Sequence, residues 1–157
     1  ADIDAVAKTF PGVEHRIEFV RELDGVKYYN DSIASSPSRT IAGLHAFPQQ
    51  VILIAGGYDK HIPFDVLGPE ICAHVKTLVL CGATAAKIRA AVESAPDYAP
   101  GHPAITEAGT LAEAVQMAKS AARPGDIVTF SPACASFDQF KNFAVRGRAF
   151  KDLIAAL

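Results

Sequence analysis

Three short apolar runs constrain the fold of this sequence more than any other feature. They occupy residues 51–55, 77–81 and 127–130, and each is followed at once by a glycine or a Ser-Pro pair. Apolar runs of strand length, without polar alternation, indicate strands that are covered on both faces. Because helical patterns separate these runs, the sequence predicts βαβ units and a mainly parallel sheet.

The connecting segments carry apolar residues at helical spacing. They predict helices over residues 37–47, 64–75, 84–94 and 110–121, and a short strand over residues 104–106. Thr110 followed by Glu113 is a capping-box pattern for the fourth helix. A last helix contains Phe143, with Asp138 and Asn142 as candidate caps.

An Asp24-Gly25 pair between residues 17–23 and 26–30 predicts a two-residue hairpin turn. With these two residues as the loop, Glu18 faces Asp31 and Arg16 lies opposite Ile33. The predicted fold is therefore a Rossmann-like, three-layer α/β domain. Its sheet of about six strands is mainly parallel and is preceded by an N-terminal antiparallel hairpin. We expect one domain over residues 13–157, with residues 1–12 forming a linker remnant or a short helix.

Charge and cysteine content narrow the class of ligand. The net charge is -2, and no dense lysine or arginine run predicts nucleic acid or a membrane as a partner. The three cysteines lack C-x-x-C spacing, which favours reduced thiols. No apolar run suits a signal peptide or a membrane span. We therefore expect a cytoplasmic monomer that binds small molecules.

Ligands of open parallel sheets lie outside the carboxyl ends of the strands. This rule selects three loops that are rich in small and polar residues: 30–36, 56–60 and 131–136. In the last of them, Pro132 supplies no amide donor and ends the strand. The hairpin pairing adds His15 and Arg16 to the same edge.

Lys60 and two serines are candidates for binding an anionic ligand. Lys60 follows two glycines and brings an ammonium group for a carboxylate or a phosphate, although a solvated lysine on a turn is equally consistent. Ser35 and Ser136 offer hydroxyl and amide donors, but serines also cap helices. Neither G-x-x-x-x-G-K-[ST] nor G-x-G-x-x-G is present, so most of any phosphate site must come from elsewhere.

Asp31 and Arg16 are candidates for contacting a nucleotide. Asp31 suits a ribose hydroxyl and Arg16 suits a phosphate or a base, while a cross-strand ion pair is the simpler interpretation. Cys134 follows a strand, but without a G-x-S/C-x-G elbow it is more consistent with a buried thiol than with a nucleophile. Our interpretation is that none of the five histidines has i, i+4 spacing with a carboxylate or a cysteine, so no metal site is predicted.

The same segments resemble the C-terminal domain of the Mur ligases. The matching residues are H-R-I-E at 15–18, D-G-V at 24–26, Y-N-D-S at 29–32, L-I-A-G-G-Y-D-K at 53–60 and S-P-A-C-A-S-F-D-Q-F at 131–140, followed by Arg146, Gly147 and Phe150. The blocks run in family order over nearly the whole chain, and the last of them is highly specific.

The resemblance implies a three-domain, ATP- and Mg²⁺-dependent ligase of peptidoglycan synthesis that adds D-glutamate to UDP-N-acetylmuramoyl-L-alanine through an acyl phosphate. The chain resembles the third domain alone, so we expect the UDP-binding domain and the central ATPase domain to be missing from it and the chain to be inactive by itself. No catalytic residue is assigned within this domain. By motif, the residues implied to hold D-glutamate are Lys60, Ser35, Ser136, Phe137 and Phe143. Those implied to meet ATP or ADP are Arg16 and Asp31, with Asn30 adjacent.

Two positions depart from the family pattern N-D-S-K-A-T. Ile33 removes a possible second cation, and Ser35 keeps the hydroxyl without the methyl group of threonine. The alternatives are a stand-alone small-molecule binding module of the same fold and a cysteine hydrolase that uses Cys134.

Overall fold

The computed structural model describes residues 13–136 and 139–157, and in these ranges the chain forms a six-stranded sheet with helices on both faces. The strands are β1 (Glu18–Leu23), β2 (Val26–Asn30), β3 (Val51–Ala55), β4 (Val75–Leu80), β5 (Ala104–Glu107) and β6 (Ile127–Phe130). The helices are α1 (Pro37–His45), α2 (Leu67–His74), α3 (Ala85–Glu93), α4 (Leu111–Ala121) and α5 (Phe143–Ala155). The predicted linker or helix at residues 1–12 lies outside the described residues.

The sheet order is β1-β2-β6-β3-β4-β5, in which only the β1–β2 pair is antiparallel. The last strand, β6, therefore lies between β2 and β3. This arrangement places the loops that follow β2, β3 and β6 side by side at one edge of the sheet.

Alternate residues of β3 point into two different cores, because successive side chains of a strand face opposite sides. Val51, Leu53 and Ala55 join the core that contains side chains of α1, α2 and α3. Ile52 and Ile54 join the core that contains side chains of α4 and α5. All five residues are at most 1% exposed, which confirms the prediction of strands covered on both faces and of three layers.

The hairpin turn forms as predicted, but its register shifts by one residue. Asp24 and Gly25 adopt φ of 53° and 78°, the left-handed geometry that favours this pair. The expected pairing extends as far as Arg21 opposite Tyr28, and an irregularity between Phe19 and Arg21 then places Glu18 opposite Asn30. The prediction that Glu18 faces Asp31 is wrong because a bulge inserts one extra residue on β1.

The same shift moves the start of the hairpin. Ile33 donates its amide hydrogen to the carbonyl oxygen of His15 at 3.0 Å, so His15 and not Arg16 lies opposite Ile33.

The helix ends follow local capping chemistry. Asn142 caps α5 by accepting the amide hydrogen of Val145 at 2.9 Å, and Thr110 accepts that of Glu113 at 3.1 Å. The carboxylate of Glu113 accepts from Gly109, at 3.5 Å, so only half of the capping box forms. Helix α2 begins later than predicted, and β4 begins two residues earlier than predicted.

No helix in the described ranges is long and apolar enough to cross a bilayer.

Candidate functional site

The candidate site is the edge where the loops after β2, β3 and β6 meet, and main-chain hydrogen bonds join these loops to one another. Ala133 donates to the carbonyl oxygen of Ala34 at 2.9 Å, which connects the β6 loop to the β2 loop. Gly56 donates to Pro132 at 2.9 Å, and Tyr58 donates to Ala135 at the same distance. The β6 loop is therefore fixed on both sides.

The two glycines after β3 permit this close approach. Gly56 has φ of 115°, and a Cβ atom there would overlap the carbonyl oxygen of Cys81. A Cβ atom on Gly57 would lie 2.6 Å from the carbonyl oxygen of Ala135. Glycine is required here because no larger residue leaves room for the neighbouring backbone.

The buried guanidinium of Arg146, on α5, connects two of the loops. It donates to the carbonyl oxygens of Ser32, at 2.7 Å, and Cys134, at 2.8 Å. It also donates to the hydroxyl of Ser32 at 3.0 Å and reaches that of Ser35 at 3.5 Å. The sequence did not predict a role for Arg146 in the site, because the position of an arginine in a helix does not show which groups its guanidinium contacts.

Asp31 fastens the hairpin to the β6 loop. One of its carboxylate oxygens accepts from the amide of Ile17 at 3.1 Å, and the other accepts from the hydroxyl of Ser131 at 2.8 Å. Ile17 has φ of 46°, an uncommon backbone conformation for a β-branched residue. This hydrogen-bonded role was not predicted, since Asp31 and Ser131 are far apart in sequence.

Asn30 is fully buried and holds the turn that follows β2. Its amide nitrogen lies 2.9 Å from Nδ1 of His15 and donates to Glu18 at 3.1 Å, while its oxygen accepts from the amide of Ser32. Burial lowers the pKa of His15, partly offset by the charge of Glu14. Within the described residues, Nε2 of His15 has no hydrogen-bond partner.

A cavity of about 220 Å³ lies beside the β2 loop and includes two of the three residues that were predicted to meet a nucleotide, but not Asn30. Arg16 and Asp31 line it, together with Arg39 and Gly43 of α1. Arg16 and Arg39 both favour the ionised form of the buried Asp31. The residues that line the cavity thus include two arginines and one buried aspartate.

The residues proposed to hold an amino acid belong to the same three loops and to the start of α5. Lys60 is exposed and forms no hydrogen bond or ion pair with another described residue. Its loop is held to the β6 loop by the Tyr58–Ala135 bridge. Ser136 is 4% exposed and Ser35 is half-buried. The Phe143 ring is 38% exposed and lies edge-on to His15, with ring centroids 5.9 Å apart, whereas Phe137 lies outside the described residues.

Cys134 lies inside the protein and not on this surface. It is 3% exposed, and its sulfur lies 3.2 Å from the hydroxyl of Thr84. All three cysteines are free thiols, as the spacing predicted. A buried thiol is inaccessible to substrate, so the geometry does not support a cysteine hydrolase.

The reading that no histidine has i, i+4 spacing with a carboxylate is wrong. Glu70 and His74 have this spacing on α2, and Nε2 of His74 lies 3.9 Å from a carboxylate oxygen of Glu70. The pattern is visible in the sequence, but the approach of His45 from α1 is not, because it depends on helix packing.

Comparison with known proteins places the chain in a family. Residues 15–134 match the family described as Mur ligase, glutamate ligase domain, and the chain belongs to that family. Its relatives include the UDP-N-acetylmuramoylalanine--D-glutamate ligases of Clostridium kluyveri, 59% identical over 95% of this chain, and of Clostridium novyi, 58% identical over 98%. The chain spans 32% and 34% of these two relatives, about a third of their length.

Solved structures with low sequence identity share the fold. A murein peptide ligase from Psychrobacter arcticus matches 98% of this chain and 32% of its own, with a TM-score of 0.62 at 12% identity. Escherichia coli FolC in complex with ADP matches 92% of this chain and 32% of its own, with a TM-score of 0.59 at 15% identity. Both similarities agree with the predicted α/β domain.

Asp31 gives a testable pH dependence. Burial raises its pKa to about 6 from 3.8, against the opposing hydrogen bonds from Ser131 and Ile17. Between about pH 4 and pH 6 the folded protein keeps a proton that the unfolded chain releases, so rising pH reduces stability through this group. Relative to Asp31→Asn, the free energy of unfolding of the parent should fall by roughly 2 to 3 kcal/mol as pH rises from about 4 to 7.

Urea denaturation of the two proteins across this pH range measures the difference. The same comparison with Asp152→Asn, at an exposed carboxylate, should show no such trend. If the difference in the free energy of unfolding between the parent and Asp31→Asn stays constant with pH, the raised pKa of Asp31 is contradicted.

Proposed function

We propose that this chain is the amino-acid-binding domain of an ATP-dependent ligase that adds D-glutamate to UDP-N-acetylmuramoyl-L-alanine. The observation that carries the proposal is the edge at which three joined loops bring Lys60, Ser35 and Ser136 to one end of the sheet. The identity of up to 59% with relatives that bear this activity in their names supports it.

Recognition of D-glutamate requires a positive charge and directed hydrogen-bond donors. The free amino acid has two carboxylates, and the exposed ammonium of Lys60 has no competing partner among the described residues. The hydroxyls of Ser35 and Ser136 supply directed hydrogen bonds, and the Phe143 ring supplies an apolar wall. Phe137 belongs to the same proposal by its place in the motif.

The cavity beside the β2 loop suits part of a nucleotide. Arg16 can pair with phosphate oxygens, and the carboxylate edge of Asp31 can accept a hydrogen bond from a ribose hydroxyl. Asn30 is fully buried, so we assign it to positioning His15 and Ser32 and not to direct contact. The G-x-x-x-x-G-K-[ST] pattern is missing from this sequence, so Mg²⁺ is assigned to the central domain of the intact ligase, together with most of the phosphate site.

The contribution of the domain to the reaction is positioning. It presents the amine nitrogen of D-glutamate to the acyl carbon of the activated muramoyl-alanine, and phosphate leaves as the amide bond forms. Holding both reactants replaces a bimolecular encounter by an oriented one, an effect that supplies several kcal/mol in favourable cases. We propose that this occurs in the cytoplasm, where ATP and UDP-linked precursors are available.

Titration of amide chemical shifts tests the proposal. We expect D-glutamate to shift the amides of Ser35, Lys60 and Ser136, and ADP to shift those of Arg16 and Asp31. L-Glutamate at equal concentration is the matched control and should have a much smaller effect. If saturating D-glutamate moves none of these amides, even with the UDP-binding and central domains present, the assignment of the site is wrong. Equal responses to both enantiomers favour a stand-alone binding module.

A further inference from the structure

The carboxyl ends of α1 and α2 carry a cluster of metal-ligating side chains that the proposed function does not use. It consists of His45, Glu70 and His74, and their ligand atoms all lie within 4.8 Å of one another. We propose that this cluster binds a divalent transition-metal ion such as Zn²⁺ and joins the two helices.

In both histidines the Nε2 atom is the one that lies nearest to the carboxylate of Glu70. Nε2 of His45 lies 2.9 Å from an oxygen of Glu70, and Nε2 of His74 lies 3.9 Å from that same oxygen. Two imidazole nitrogens and a carboxylate oxygen are a recognised zinc ligand set that leaves a fourth position open to water. Spacing of i, i+4 places Glu70 and His74 on one face of α2.

An ion pair alone explains the cluster poorly. Nε2 of His45 lies within hydrogen-bond distance of Glu70, at 2.9 Å, whereas Nε2 of His74 lies at 3.9 Å, so the carboxylate forms a hydrogen bond with only one of the two rings. A divalent ion instead binds both neutral rings and the carboxylate together. The side chains of His45 and His74 are 52% and 33% exposed, so an ion can enter from solvent without any rearrangement of the core.

A second cluster, Glu14, His15 and Glu18, is a weaker candidate. Both of its carboxylates already pair with Lys151, at 2.7 and 3.2 Å. His15 is buried, and its Nδ1 contacts Asn30. A metal there would have to displace a bound ammonium group.

The proposed metal site is separate from the candidate functional site. His45 is the last residue of α1, and His74 directly precedes β4. Both therefore lie toward the amino ends of the strands, whereas the three loops lie at the carboxyl ends. Because α1 and α2 follow the β2 and β3 loops, a bound ion would fasten together the helices behind two of these loops.

Calorimetric titration of the chain with zinc chloride, alongside cobalt absorption spectra, tests the proposal. We expect one ion per chain at this cluster, a tetrahedral cobalt spectrum, and a rise in Tm of roughly 5 to 10 °C at a zinc concentration about 100 times Kd. The double substitution His45→Gln with His74→Gln should lower zinc affinity at least about tenfold and abolish the cobalt spectrum.

Two matched variants locate the ion. His102→Gln, at an exposed histidine outside the cluster, should bind zinc as the parent does. Glu14→Gln should also leave affinity unchanged. The proposal is overturned if the parent binds no zinc, if the double variant binds as tightly as the parent, or if Glu14→Gln is the change that removes binding. The replaced side chains of His45, His74, His102 and Glu14 are all exposed or partly exposed. Each variant without metal should therefore have the same Tm as the parent within experimental error.

Discussion

Replacing Arg146 with methionine should destabilise the domain by about 3 to 5 kcal/mol. Methionine preserves much of the volume but supplies no donor for the carbonyl oxygens of Ser32 and Cys134 or the hydroxyl of Ser32. Each buried acceptor left without a partner costs about 1 to 3 kcal/mol. The β2 and β6 loops should also separate, because this guanidinium contacts both of them. Urea denaturation measures the loss.

Arg148→Met is the matched control, because Arg148 is exposed on the same helix. It should change the free energy of unfolding by less than about 0.5 kcal/mol. Equal stability of Arg146→Met and Arg148→Met would show that the buried hydrogen bonds do not hold the loops together. Lysine at position 146 should recover only part of the lost stability, since its single ammonium group cannot span three acceptors in a fixed plane.

Replacing Lys60 with methionine should weaken D-glutamate binding by about 100-fold or more, with little change in stability. Lys60 is exposed and has no described partner within the domain, so its removal leaves no buried group unpaired. Removing one partner of a charge pair that is buried in a complex costs about 2 to 5 kcal/mol, and we expect the other domains of the ligase to shield this contact from water. In the ligase that joins this domain to its UDP-binding and central domains, the change should appear in the KM for D-glutamate.

Lys119→Met provides the control for charge alone, because Lys119 is an exposed residue near the end of α4. It should leave the KM for D-glutamate unchanged, and neither variant should alter the KM for ATP by more than a few fold. A normal KM for D-glutamate in Lys60→Met would remove the central contact of the proposed site.

Most of the fold was predictable because local signals agreed with the final packing. The apolar run of β3 is buried on both faces, Asp24 and Gly25 form the turn, and Asn142 caps α5. The bulge in β1 was not predicted from the residue types, and it appears in the structure as a break in the alternation of burial at Val20 and Arg21. The position of β6 between β2 and β3 likewise depends on pairing between segments far apart in sequence.

The site was predictable as an edge, but its internal contacts were not. The loops after parallel strands identify where polar residues gather, and that rule selected Lys60 and Ser136, whose roles in binding stay predictions. The hydrogen bonds of Asp31 to Ser131 and Ile17 arise only after the hairpin and β6 pack together. Arg146 was missed for the same reason, because its partners belong to two loops on other strands.

The way the three loops are joined has a consequence for how substrate choice can diverge. Several of their contacts run from backbone to backbone, as in Ala133 to Ala34 and Gly56 to Pro132, and these contacts do not depend on which side chains the neighbouring positions carry. A lineage can exchange the residues that touch the incoming amino acid while the supporting frame stays intact. Selection for a new substrate therefore needs few changes here, provided that Arg146, Asp31 and the two glycines after β3 are retained.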